Sequence, residues 1–165
     1  MTMLKSILLG AVLVTCSGGL CQADEVADTC KIYFEKINSK DGDAKFEGWA
    51  RITTVSRSCP GHPALKEGLL IVLKDEAQRD DWFLAFGHLY LCLKCDPRLD
   101  DADVQLLLSR LAKDDVGAWD IAVRCISALV LHSETAVKHL EPFLKDPYER
   151  RRDLVAKSIL SLNGQ

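Results

Sequence analysis

The chain has 165 residues, 48% of them hydrophobic, which is enough for one well-filled core and sets a prior of one domain. A net charge of −3 and a pI near 5.8 argue against nucleic-acid binding, which needs clustered cations. With 27% charged residues and only 10 Gly and 5 Pro, the composition also argues against long disorder.

The first element is apolar. Lys5 is the only charge before Asp24, Ser6 to Val14 is an uninterrupted apolar run, and "CQA" (Cys21 to Ala23) places small residues where signal peptidase reads. This pattern predicts a secretory signal peptide over 1–23 and a single helical domain over 24–165. The run is too short for a comfortable bilayer span. "LVTC", ending at Cys16, is similar to a bacterial lipoprotein box, but Thr15 is a poor residue before such a cysteine. Lipid anchorage at Cys16 is therefore the less favoured alternative to a soluble periplasmic location.

Beyond the signal, "VADTCKIYFEKI" (Val26 to Ile37), the break "NSKDGD" and "FEGWARITTVSRSC" (Phe46 to Cys59) read as helix, turn, helix, with "PGHP" (Pro60 to Pro63) as punctuation. Three clearer copies of the same order follow. A shift of 33 lays Val104, Leu107 and Leu111 on Val137, Leu140 and Leu144, and Asp120, Arg124, Ile126 and Leu129 on Asp153, Lys157, Ile159 and Leu162. A shift of 71 lays Leu69, Val72 and Leu73 on Leu140, Phe143 and Leu144. The same shift lays Phe83, Leu84, Ala85 and Leu91 on Leu154, Val155, Ala156 and Leu162, and His88 on Ile159. In the last copy, Leu154, Val155, Ser158, Ile159 and Leu162 form one broad helix face. The polar breaks "KDEAQRDD", "AKDDVGA" and "KDPYERR" separate the two helices of each copy, and Pro147 cannot continue the helix before it. One helix pair cannot cover its own apolar face, so it stacks on copies of itself.

From Pro63 to Leu162 the chain resembles the HEAT-repeat family of armadillo-like solenoids. "LKDPYERRRDLVAKSILSL" carries the family's order of Leu, Lys-Asp-Pro, a basic run and a second helix ending in Leu. The pattern departs at Val116 to Trp119, and Pro is missing from the two earlier inter-helix turns. The resemblance implies an all-α fold, a short right-handed α-α superhelix of about four HEAT-like helix pairs. It implies little about function.

Chemistry-bearing motifs are sparse. None of His62, His88, His132 and His139 sits at a metal-ligand spacing, and no nucleophile and base arrangement or phosphate loop can be named, so no catalytic, cofactor or metal residue is expected. "CLKC" (Cys92 to Cys95) closes a helix, where the dipole and Asp96 oppose thiolate formation, so a thiol oxidoreductase is the alternative and not the preferred reading. In an oxidising compartment Cys30 and Cys59, at neighbouring ends of a helical hairpin, are expected to bridge, and Cys92 and Cys95 to bridge locally or to face the core as thiols. Cys125 falls at the Ser158 position as a buried thiol. Five mature cysteines leave one over, and a homodimer through it stays open.

The acids Asp75, Glu76, Asp80, Asp81, Asp100, Asp101, Asp103, Asp114 and Asp115 gather at repeat turns, where many serve as helix caps. Stacking would align them as an acidic strip for a basic protein partner. Asp80, Asp81, Trp82, Asp114, Asp115, Trp119, Arg150 and Arg151 are the expected contacts. The functional expectation is a non-enzymatic exported protein-binding module. Its type is similar to immunity proteins that neutralise periplasmic wall-degrading toxins such as type VI secretion amidases, with an envelope scaffold as another alternative.

Overall fold

The computed structural model describes residues 20–111 and 119–164. The predicted signal run, Cys16 and the pair Asp114–Asp115 lie outside the described residues. Eight α-helices are present, with no strand among the described residues: α1 Leu20–Ile37, α2 Gly42–Ser58, α3 Pro63–Lys74, α4 Trp82–Cys95, α5 Asp101–Leu111, α6 Trp119–Ile126, α7 Ser133–Leu140 and α8 Glu149–Asn163. α1 begins before the cleavage point expected after Ala23. "ARITTVS" lies in α2, as its pattern predicts. No helix among the described residues is long and apolar enough to cross a membrane.

Helix starts follow from local chemistry. The Asp41 carboxylate accepts from the backbone N–H of Asp43 and Ala44 at 2.9 and 3.3 Å and opens α2. Pro63 begins α3, where it removes no intrahelical hydrogen bond. Asp100 Oδ1 accepts from Asp103 N–H at 2.7 Å at the start of α5. Short 3-10 turns, Glu76–Asp81, Val130–His132 and Glu141–Lys145, join α3 to α4, α6 to α7 and α7 to α8. After the last of these, Asp146 accepts from Tyr148 N–H at 2.8 Å across Pro147, and α8 begins.

Each helix packs on its successor in pairs, α1 on α2, α3 on α4, α5 on α6 and α7 on α8. The odd helices α1, α3 and α5 contact one another in one layer, and α2, α4, α6 and α8 contact in sequence in a second. One core joins the layers, with Leu65, Leu69, Leu89, Leu107 and Ile126 among its fully buried side chains.

Burial corrects one repeat register. The shift of 71 pairs Leu84 with Val155 and Leu91 with Leu162, but Leu84 and Leu91 are 38% and 37% exposed while Val155 and Leu162 are buried. A shift of 70 in this helix lays Ala85 on Val155 and Cys92 on Leu162, buried on buried. His88 then takes the place of Ser158 and not of Ile159. A run of adjacent Leu and Phe residues fits two registers a residue apart, and only solvent exposure separates them.

Gly48 sets the separation of α1 and α2. A Cβ there would lie 2.8 Å from the Tyr33 carbonyl oxygen and 3.1 Å from Ile37 N, both backbone atoms of α1 that cannot swing aside. Gly48→Ala is expected to destabilise the fold by about 1–3 kcal/mol through overpacking, measured as a lower midpoint in urea unfolding. An unchanged midpoint would refute this close approach.

Candidate functional site

The polar network with most chemical character runs from α2 to α4. His88 stacks on Trp49 with ring centroids 6.0 Å apart, and its Nδ1 lies 2.8 Å from Ser56 Oγ and its Nε2 3.1 Å from Thr53 Oγ1. Both hydroxyls also have backbone acceptors: Ser56 Oγ donates to Thr53 O at 3.0 Å, and Thr53 Oγ1 to Trp49 O at 2.8 Å. No carboxylate bonds the imidazole, so the cluster lacks the orienting acid of a nucleophile, base and acid triad. Burial, followed by the nearby Arg57 charge, lowers the His88 pKa from its ordinary 6.5. His88 is a helix-to-helix strut, and sequence periodicity alone located it without revealing its partners.

The expected anchors divide sharply. Trp82 is buried, donates from Nε1 to Asp75 O at 3.2 Å and carries the Arg110 guanidinium 4.3 Å above its ring. Trp119 is buried, edge-on to Phe143 at 5.8 Å with Arg151 4.8 Å over its face. Asp81 is buried and accepts from Trp49 Nε1 at 2.9 Å and Lys45 Nζ at 2.8 Å. These three residues hold the fold together instead of lining its surface, because each one's polar or charged partner comes from a neighbouring turn or helix. Arg151 also pairs with Asp146 at 3.5 Å. Asp80 is exposed, and Arg150 is exposed and paired with Asp120 at 2.5 Å.

The acidic strip is largely engaged within the molecule. Asp75 accepts from Ala77 N–H, Glu76 pairs with Arg110, Asp103 pairs with Lys74 at 2.9 Å, and Asp100 caps α5. Asp80 and Asp101 of the strip stay exposed, and Asp114 and Asp115 lie outside the described residues.

Among the described residues Cys30, Cys59, Cys92, Cys95 and Cys125 are free thiols, with none at disulfide distance from another, so neither the Cys30 to Cys59 bridge nor one within "CLKC" is formed. Three residues apart on one helix, Cys92 faces the core and Cys95 faces solvent. Burial pushes the Cys92 thiol up to about 12 and that of Cys30 to about 11, with Cys59 adding to the latter. Cys125 is raised as well, again by burial first. Such thiols are poor nucleophiles. Among the described residues no group of three His, Cys, Asp or Glu is placed to hold a metal ion.

What sequence reasoning missed is the solvent face of the even helices. In the burial-corrected register, Phe83, Asp120 and Asp153 occupy one row, and Gly87, Arg124 and Lys157 the next, while Phe46 and Ala50 are exposed on α2. A Cβ on Gly87 would meet Ile121 Cγ1 at 3.9 Å, which places this row at the α4–α6 seam. Phe46 is 78% and Phe83 54% exposed, large apolar groups each one turn before a small residue. Toward α8 the face changes to a groove of 570 Å³ lined by Tyr90, Arg124, Arg150, Asp153 and Lys157 among others. The exposed Phe46 and Phe83, near the starts of α2 and α4, were the available signal.

No protein-family model matches the chain, and neither a curated protein nor a solved structure is significantly similar to it.

Two predictions follow from the thiols and the imidazole. Alkylation of the native protein at pH 8 should label Cys95 first and Cys92 and Cys125 at least about 100-fold more slowly, as read by peptide mapping; fast labelling of Cys92 would contradict its burial. Because the folded pKa of His88 lies below its unfolded value, the unfolded chain takes up the proton first as pH falls below 6.5. The His88 contribution to stability is thus complete above that pH and is lost below it. Unfolding of His88→Gln should fall less steeply than wild type between pH 6.5 and pH 5; parallel curves would reject a lowered pKa.

Proposed function

We propose that this chain is a non-enzymatic, exported protein-binding module, a short right-handed superhelix of about four HEAT-like helix pairs that engages another protein through the solvent face of its even helices. The single observation that carries this reading is the exposure of Phe46 and Phe83 near the starts of successive even helices, each one turn before a small residue, Ala50 and Gly87. Exposed aromatics grouped on one face and bordered by polar residues mark interaction surfaces, and aromatic side chains supply most hot-spot energy. The two-layer packing of successive helix pairs supports the superhelical form. The signal-like start of the chain supports export to a periplasm.

Within this reading the partner is a wall-degrading toxin held by direct binding, such as a type VI secretion amidase. The even-helix face takes the role that the acidic strip was expected to fill. Asp81, Trp82 and Trp119 act indirectly, by holding that face in place.

Immobilised wild type and Phe46→Ala/Phe83→Ala protein, exposed in parallel to envelope extract of the source cells, provide the test. Quantitative mass spectrometry should find at least one protein retained by wild type and reduced about tenfold or more by the double variant, whose circular dichroism should be unchanged. Equal retention by both proteins, or no specific protein retained by wild type, would reject the reading.

A further inference from the structure

We infer that the trough formed by α4, α6 and α8 binds an acidic segment of a protein partner, with Lys94, Arg124 and Lys157 as its carboxylate-binding groups. The inference rests on the protein-binding reading above and adds the partner's chemistry, which is opposite in sign to the basic partner that the sequence suggests.

Two cavities, of 570 and 360 Å³, adjoin and share Tyr90, Ser127 and Ser161. Each of the three helices contributes a cation to their lining, Lys94 from α4, Arg124 from α6 and Lys157 from α8, beside Arg150 of α8, which is paired with Asp120. Lys94 Nζ lies 5.6 Å from the Tyr90 ring centroid. None of the three cations has an ion pair among the described residues. The odd layer is different. In α1, α3 and α5, which form it, the last-turn cations are paired, Lys36 with Glu47 at 2.5 Å, Lys74 with Asp103 at 2.9 Å and Arg110 with Glu76, whereas Lys138 in the last turn of α7 has no ion pair among the described residues. The helix dipole accounts for a cation in the last turn of either layer. It does not account for Lys157, which lies outside the last turn of α8, and with Arg150 tied to Asp120 the three cations unpaired among the described residues line one trough and favour an incoming anion there.

The chemistry of the trough selects among anions. Its other end holds Asp120, Glu149 and Asp153, with Asp120 tied to Arg150 at 2.5 Å. A long phosphate polymer would run past the cationic end onto these acids. A protein segment with a few carboxylates needs only the cationic end. Adjacent helix axes lie about 8–10 Å apart, so the reach from α4 to α8 is roughly 16–20 Å. That matches about five or six residues of extended chain at ~3.3 Å each.

A fluorescein-labelled hexaglutamate peptide, titrated with the full mature chain at low ionic strength and read by anisotropy, tests the inference. Wild type should bind it and leave hexalysine unbound. The charge-neutral variant Lys94→Gln/Arg124→Gln/Lys157→Gln and the reversed variant Lys94→Glu/Arg124→Glu/Lys157→Glu should each bind at least tenfold more weakly, with unchanged circular dichroism, since all three positions are exposed. No binding by wild type, binding by both variants as tight as that of wild type, or complete displacement by sodium phosphate at matched ionic strength would overturn the inference. Tighter binding of a six-residue oligothymidylate than of hexaglutamate would overturn it in favour of nucleic acid. A partner protein lost with Phe46→Ala/Phe83→Ala but retained in full by the charge-reversed variant would sink the trough and leave the module reading standing.

Discussion

Asp81 stands at the start of α4 with its carboxylate out of solvent, accepting from Trp49 Nε1 and Lys45 Nζ of α2. A buried carboxylate without such partners is strongly destabilising, so these contacts lock the relative position of α2 and α4. Their consequences spread in both directions. Trp82, the next residue, is driven into the core beneath Arg110, which in turn reaches back to the carbonyl oxygens of Leu73 and Lys74. Trp49, fixed by its indole N–H, stacks on His88, and His88 meets Ser56 and Thr53. With the two helices held this way, the remaining face of each, with Phe46 on α2 and Phe83 on α4, is left to solvent.

Many charges pair within the molecule, in the odd helices and inter-helix turns as in Lys74 with Asp103, Arg110 with Glu76 and Lys66 with Asp96, and in the even helices as in Lys45 with Asp81 and Arg150 with Asp120. Asp96 illustrates the effect, because hydrogen bonds from Arg98 and Lys66 hold its carboxyl well below the usual carboxylate range. The even helices keep several charges unpaired. The overall sign of the protein is therefore a poor guide to the sign of the surface that meets a partner. A chain of net charge −3 presents cations where three helices converge.

The cysteine pattern suggests redox chemistry, and the fold gives each thiol a different environment. Helical geometry places residues three apart on adjoining parts of one face, and in α4 the core boundary runs between Cys92 and Cys95. Burial among apolar groups then disfavours the thiolates of Cys30, Cys92 and Cys125.

The periodic apolar residues determined by themselves that the chain is helical and that its helices come in pairs, since an amphipathic face of period 3.6 requires a partner and the breaks at "NSKDGD", "CDPRLDDAD" and "KDPYERR" separate one helix from the next. Asp100 as a cap and Cys125 as a buried thiol were equally legible, because each depends on local spacing. Only the tertiary structure decided the register of α4 to a single residue, the removal of Asp81, Trp82 and Trp119 from the surface, and the meeting of Lys94, Arg124 and Lys157. Each of these depends on which atoms of another helix lie opposite, and residues some 30 to 60 positions apart in the chain carry no local trace of that.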